Sequence, residues 1–186
     1  MTNTIVTTDA NASEADASSN FEDSLPTSSL AMMEKLDALA IGYKLHTHPP
    51  LRTVEDSQKL SGPMDGAHIK NLYLRDRKKN NYLIVAEETK PIDLKELGEA
   101  IGAGRLSFGS ADRLMEHLGV RPGAVSPLTL INDTDQKVQL VMDKSLLAHE
   151  LINVHPLVND KTLTISVTDL EKFLDHTGHL SGRITI

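Results

Sequence analysis

The run "GAHIKNLYLRDRKKNNYLIVA", Gly66 to Ala86, contains two β-rich segments separated by a polar stretch. His68 to Arg75 and Tyr82 to Ala86 read as the arms of a hairpin, with "DRKKNN" as its basic tip. A connection that short joins antiparallel strands, so the sheet that contains it is not a doubly wound parallel one. Along the first arm, His68, Lys70 and Leu72 share one face, and Ile69, Asn71 and Tyr73 share the other. Lys70 therefore sits on a face of mixed polarity. Either it is a lysine that snorkels to water, or its ammonium is placed to meet a phosphate or a developing oxyanion.

On the N-terminal side of the hairpin, Leu30 to Ile41 reads as a helix capped by Ser28 or Ser29, with Met32, Met33, Leu36, Leu39 and Ala40 on one face and Gly42 at its end. "YKLHTH" alternates like a strand, and "TVEDSQKLSG" opens on a Thr53-to-Asp56 capping-box pattern that predicts a short helix. On the C-terminal side, helices are expected over Asp93 to Ile101 and from Ser110 to Leu118. "KVQLVM", "INVH" and "TLTIS" read as strands, "SLLAHEL" as a short helix, and "DLEKFLDHT" as a helix opened by a Thr168-to-Glu171 capping box. "GRITI" is an expected edge strand. The fold class that follows is α/β of the α+β type, with a mixed, largely antiparallel sheet flanked by helices.

The chain has 186 residues, 39% of them hydrophobic and 24% charged, which suits one domain with an ordinary core. Residues 1–28 are rich in Ser, Thr, Ala, Asn and Asp, lack apolar periodicity, and are expected to form a flexible acidic tail before a domain over 29–186. Five acids and no Lys or Arg lie in residues 1–25; subtracting them from the net charge of -7 leaves -2, so a local basic patch is compatible with the composition. There is no apolar run of spanning length and no leader pattern, so the expected location is the cytoplasm, with no membrane partner. The absence of cysteine removes disulfides, thiolate metal sites and cysteine nucleophiles.

Several groups can carry chemistry. Arg75, Arg77, Lys78 and Lys79 crowd the hairpin tip and can hold a nucleic-acid backbone, or simply solvate an edge. In "GVRPGAVSPL", Gly119 and Gly123 permit close backbone approach while Pro122 and Pro127 stiffen a loop that can cradle a carbonyl or serve as a rigid connector. Ser126 in that loop lacks a G-x-S-x-G elbow. His46 with His48, and His176 with His179, have spacings open to a metal but point to no third ligand, so no metal is expected. His155 in "NVHPLVNDKT" precedes a structured turn.

Taken in order and spacing, "HPPLRTVEDS", "HIKNLYLRDRKKNNYLIVA", "GVRPGAVSPL" and "NVHPLVNDKTLTIS" resemble the YbaK/ProX family of aminoacyl-tRNA editing domains, over about residues 30–182. Within it the chain is most similar to the free-standing prolyl-tRNA editing proteins that deacylate alanyl-tRNA(Pro). The resemblance implies a barrel-like central sheet, hydrolysis of the ester of a mischarged tRNA with help from the free ribose hydroxyl, and no cofactor. It places the family's lysine on Lys70, followed by Asn71, its G-x-x-x-P loop on Gly123 to Pro127, and its histidine on His155, with Asn159 in the turn beyond. Lys70, Gly123, Ser126 and His155 are then the expected catalytic group. Thr53, Asn71, Ala124, Val125, Pro127 and Asn159 are expected to bind substrate, with Val125 near the size-selecting wall. The implied partners are tRNA and, beside it, prolyl-tRNA synthetase. The open alternatives are a deacylase of cysteinyl-tRNA(Pro) or seryl-tRNA, a non-catalytic tRNA-binding adaptor, and a metal hydrolase built on His46 and His48.

Overall fold

The computed structural model describes residues 4–7, 17–51, 64–179 and 183–185. Thr53 and the helix expected from "TVEDSQKLSG" lie outside the described residues. The hairpin forms as expected: β3 (Ile69–Asp76) pairs antiparallel with β4 (Asn81–Glu87), with Lys70 opposite Ala86 and Asn71 opposite Val85. Its turn is held by the buried Asp76 carboxylate, which accepts from the Asn80 amide N–H and side chain and from the Tyr82 hydroxyl. Burial alone would raise the Asp76 pKa, but these bonds hold it below the usual carboxylate value.

Among the described residues four α-helices flank the strands: α1 (Ser29–Ala38), α2 (Leu94–Ala100), α3 (Ala111–Leu118) and α4 (Val167–His176). Ser28, Asp93 and Ser110 cap the first three by accepting backbone N–H bonds, as their positions in the sequence predict. The cap of α4 is two residues earlier than expected. Ser166 accepts from the Asp169 N–H, so Ser166 with Asp169 takes the role assigned to Thr168 with Glu171.

The remaining strands are β1 (Thr4–Thr7), β2 (Tyr43–Thr47), β5 (Leu106–Phe108), β6 (Val138–Asp143), β7 (Leu151–Val154), β8 (Lys161–Ser166) and β9 (Arg183–Ile184). They form two sheets, in the orders β1-β2-β8-β7 and β5-β3-β4-β6-β9. The β2–β8, β7–β8, β3–β4 and β3–β5 pairs are antiparallel, whereas β1–β2, β4–β6 and β6–β9 are parallel. The fold is mixed α/β, and the barrel-like sheet resolves into two sheets that do not close. They are stitched at one place, a parallel bridge between Ala67 and Ile152. There the Ala67 N–H donates to the Leu151 carbonyl at 2.8 Å and the Asn153 N–H to the Ala67 carbonyl at 3.0 Å.

The main core lies between the sheets. Leu163, Ile165, Ile152 and Val154 on one side meet Leu83, Val85, Leu140 and Met142 on the other, with Met32, Leu118 and Phe173 closing in from the helices. A second cluster, Leu74, Tyr82, Ile84, Leu97, Leu106 and Val141, packs under α2. Being buried on both faces explains why β4 reads as an unbroken apolar run.

Residues 18–24, within the expected tail, form a 3-10 helix docked on the body. Ser18 and Asn159 bond reciprocally, Ser18 N–H to Asn159 Oδ1 at 2.8 Å and Asn159 N–H to Ser18 Oγ at 2.7 Å. Lys161 Nζ reaches Glu22 at 3.2 Å, and the Arg121 guanidinium lies 4.4 Å from the centroid of the Phe21 ring. Polar bonds and one cation–π contact hold this segment, none of which leaves an apolar period in the sequence. No helix among the described residues is long and apolar enough to cross a membrane.

Candidate active site

The strand alternation that drives Leu163 and Ile165 into the core turns Thr162 and Thr164 to the opposite face of the first sheet. His46, His48 and Asn153 share that face, and all five side chains are buried. The face is polar but internally satisfied. His46 Nε2 donates to Thr164 Oγ1 at 3.0 Å, and that hydroxyl donates to Asn153 Oδ1 at 2.6 Å. Asn153 Nδ2 then donates to the Asp65 carbonyl at 2.9 Å, fixing the amide's orientation and the chain just before His68. His48 Nδ1 lies 2.8 Å from the Pro49 carbonyl, which can only accept, so Nδ1 carries the proton and Nε2 accepts from Thr162 Oγ1 at 2.8 Å. Burial, with Lys44 for His46 and with His46 for His48, holds both pKa values below the ordinary one. His46 Nε2 and both ring nitrogens of His48 are thus occupied by threonine hydroxyls and a carbonyl.

Where this polar face meets the start of β3, a cavity of about 30 Å³ opens, lined by Leu51, Met64, His68, Ile69, Asn71, Asn153, His155 and Thr162. Two of its polar atoms, His68 Nε2 and Asn71 Oδ1, are buried with no hydrogen-bond partner among the described residues. His155 Nδ1 lies 2.9 Å from the Lys161 carbonyl, so in the neutral ring Nε2 is the acceptor. The ring packs edge-on against His48, with centroids 6.4 Å apart. Burial pushes the His155 pKa down to about 4, the Lys161 carbonyl opposing and the neighbouring His48 assisting.

That depression has a testable sign. An unfolded histidine titrates near 6.5 and folded His155 near 4, so between these values the unfolded chain binds the extra proton. Stability contributed by neutral His155 is full above pH 6.5 and is lost as pH falls toward 4. The thermal midpoint should therefore drop across that window, and drop less in His155→Gln; equal pH slopes for the two proteins would refute the assignment.

Of the residues named from the sequence, the cavity brings together Asn71 and His155. Lys70 is on the other face of β3, beside Leu72 and Leu74, half-buried, with its ammonium donating to the Lys90 carbonyl. Burial pulls its pKa down and Glu88 opposes that pull. Lys90 is itself fixed by its ion pair with Asp143 at 2.6 Å. The Gly123-to-Pro127 loop stands behind the cavity wall. Gly123 takes φ +90° and packs on the Leu51 carbonyl, Ala124 is buried, Val125 packs on the main core rather than lining the cavity, and Pro127 opens a 3-10 helix. Ser126 Oγ donates to the His155 carbonyl at 2.6 Å and accepts from the Leu128 N–H, so the hydroxyl is a brace for His155 with no free role as a nucleophile. Asn159 holds Ser18 with its side chain and Leu51 with its carbonyl.

At the hairpin tip Arg77, Lys78 and Lys79 are exposed, while Arg75 is half-buried on the strand. Six residues separate Asn71 from Arg77, about 20 Å along a strand. The sequence reading missed His68, Ile69, Asn153 and Thr162 as lining residues. The alternation of "HTH" against "TLTIS" carried part of that signal, since it puts two histidines and two threonines on one sheet face.

Comparison with known proteins gives one consistent picture. The family model described as "Aminoacyl-tRNA editing domain" matches residues 48–173. The prolyl-tRNA editing protein ProX of Acetoanaerobium sticklandii is 41% identical over 150 residues, covering 80% of this chain and 92% of that protein. The prolyl-tRNA synthetase associated domain-containing protein 1 of Mus musculus is 36% identical over 151 residues, covering 78% and 89%. A solved structure described as a candidate trans-editing enzyme for prolyl-tRNA synthetase shares the fold at TM-score 0.64 and 19% identity, over 84% of this chain and 95% of that one.

Proposed function

The chain belongs to the aminoacyl-tRNA editing domain family, and from that premise we propose that it is a trans-acting deacylase whose substrate is alanyl-tRNA(Pro). The observation that carries the alanine reading is the size of the cavity. About 30 Å³ is little more than twice what one water requires, which favours a methyl-sized group over a pyrrolidine ring. A synthetase site that accepts proline discriminates poorly against a smaller side chain, since missing methylenes cost only about 1–3 kcal/mol, and a second, smaller site removes the product that slips through.

In the reaction a water oxygen attacks the ester carbonyl, the tetrahedral oxyanion collapses, the bond to the ribose oxygen breaks, and the proton from water ends on that oxygen. Neutral His155 presents Nε2 as an acceptor to the water or to the free ribose hydroxyl. With a pKa near 4 it is a weak base, which favours positioning over full proton abstraction and leaves the ribose hydroxyl to assist. Lys70 serves the terminal phosphate by exchanging the Lys90 carbonyl for a phosphate oxygen. Arg77, Lys78 and Lys79 follow the tRNA backbone, and replacing all three by alanine should flatten the salt dependence of tRNA binding; an unchanged slope would exclude them. Prolyl-tRNA synthetase is the accompanying partner, in the cytoplasm.

The deciding experiment is a deacylation panel with alanyl-, cysteinyl-, seryl- and prolyl-tRNA(Pro). Alanyl-tRNA(Pro) should be hydrolysed fastest and prolyl-tRNA(Pro) least. Ile69→Ala, which trims the lining, should narrow the alanyl-to-prolyl preference by about tenfold. Val125→Ala, away from the lining, should leave it within about twofold. The reverse pattern would put the sieve in the loop, and inactivity toward the whole panel would exclude the deacylase.

A further inference from the structure

We infer that His68, together with Asn71, recognises the α-amino group of the aminoacyl ester and so makes the enzyme selective for a free amine. This rests on the deacylase reading above. Three sets of facts support it.

First, the polar atoms around the cavity divide cleanly into spent and unspent. Asn153 gives its amide to the Asp65 carbonyl and takes the Thr164 hydroxyl, and Thr162 gives its hydroxyl to His48. His68 Nε2 and Asn71 Oδ1 have no partner among the described residues although both atoms are buried. A buried polar atom left unpaired costs about 1–3 kcal/mol, so a ligand that pairs both recovers that energy.

Second, the unspent atoms match a donor. An amide oxygen can only accept, and the His68 ring accepts at Nε2 in its Nδ1–H tautomer, the one a bound amine selects. In an aminoacyl ester the ester carbonyl is an acceptor and the free ribose hydroxyl has a single proton. The amine alone carries enough N–H bonds to satisfy both atoms. None of the described lining residues is a carboxylate, so His68 Nε2 and Asn71 Oδ1 are the buried unpaired polar atoms the described lining offers to such a group.

Third, His68 is held in place from three directions. Its carbonyl accepts from the Glu88 N–H at 2.9 Å, the preceding Ala67 is bridged to β7, and Asn153 ties down Asp65. A side chain that lines a small cavity from so fixed a backbone is preorganised for a ligand.

The test compares kcat/KM for alanyl-tRNA(Pro) and N-acetyl-alanyl-tRNA(Pro) with the full chain. The wild type should prefer the free amine by about tenfold or more, the worth of hydrogen bonds to one polar group. His68→Leu should reduce that preference to about threefold or less, with the larger loss falling on the free-amine substrate. Such a selective loss is not what a purely structural defect produces. Should His68→Leu fail to fold, Asn71→Leu reads the same preference, while His68→Gln, which keeps an acceptor, should restore part of it. Equal rates on the two substrates by the wild type, or full preference kept in His68→Leu and Asn71→Leu, overturn the inference and leave the deacylase intact. Inactivity of the wild type toward both overturns the deacylase reading itself.

Discussion

Lys70→Ala is expected to lower kcat/KM for alanyl-tRNA(Pro) by about 10- to 100-fold, the worth of one charge-assisted hydrogen bond of about 1.5–3 kcal/mol. The partition of the loss identifies the role. If the ammonium holds the terminal phosphate in ground and transition states alike, KM rises and kcat is kept; if it meets the oxyanion, kcat falls and KM is kept. The geometry favours the first. Lys70 projects from the face of β3 opposite the cavity, and its ammonium rests on the Lys90 carbonyl, a backbone acceptor that a phosphate oxygen can replace. Lys70→Arg keeps the charge and should recover most of the KM. A loss of less than about threefold in Lys70→Ala would remove Lys70 from the mechanism.

Gly66→Ala is expected to be strongly destabilising. Gly66 has φ +90°, and a Cβ there would lie 2.7 Å from the Leu151 side chain and 2.8 Å from its backbone carbonyl. Leu151 is the residue whose carbonyl accepts from Ala67 at the joint between the sheets, so it cannot retreat without opening that joint. Backbone strain and overpacking together should cost about 3 kcal/mol or more, lowering the thermal midpoint by about 6–12 °C. The proper control is Gly102→Ala, which has φ +69° but no atom within 4 Å of the new methyl, and which should cost no more than about 1–2 kcal/mol. Equal midpoints for the two variants would mean that the joint yields freely. Because His68 and Asn153 hang from the same joint, residual folded Gly66→Ala should also deacylate poorly.

The hairpin and the helix starts near Ser28, Asp93 and Ser110 were legible because each rests on contacts between near neighbours in sequence: turn chemistry, capping and side-chain period. The α4 cap was misplaced by two residues because Ser166 and Thr168 both head a run with an acid three positions on, and only the end of β8 at Ser166 selects between them. The segment 18–24 was read as tail because its partners, Asn159, Lys161 and Arg121, are a hundred or more residues away. Val125 was read as a wall of the pocket because motif order says which loop is near, not which way each of its side chains points.

By itself, the sequence determined the class of fold and the family, and it singled out His155 and Asn71, which line one cavity, since local pattern and motif register depend on residue type and spacing alone. Only the tertiary structure decided that His68, which strand alternation puts on the Lys70 face, lies just before β3 and lines the same cavity as Asn71. It alone turned Ser126 into a brace and joined the two sheets through a bridge between Ala67 and Ile152. The physical reason is that whether a polar atom is spent or free depends on partners brought from distant parts of the chain. For His68 Nε2 and Asn71 Oδ1, folding buries both and pairs neither.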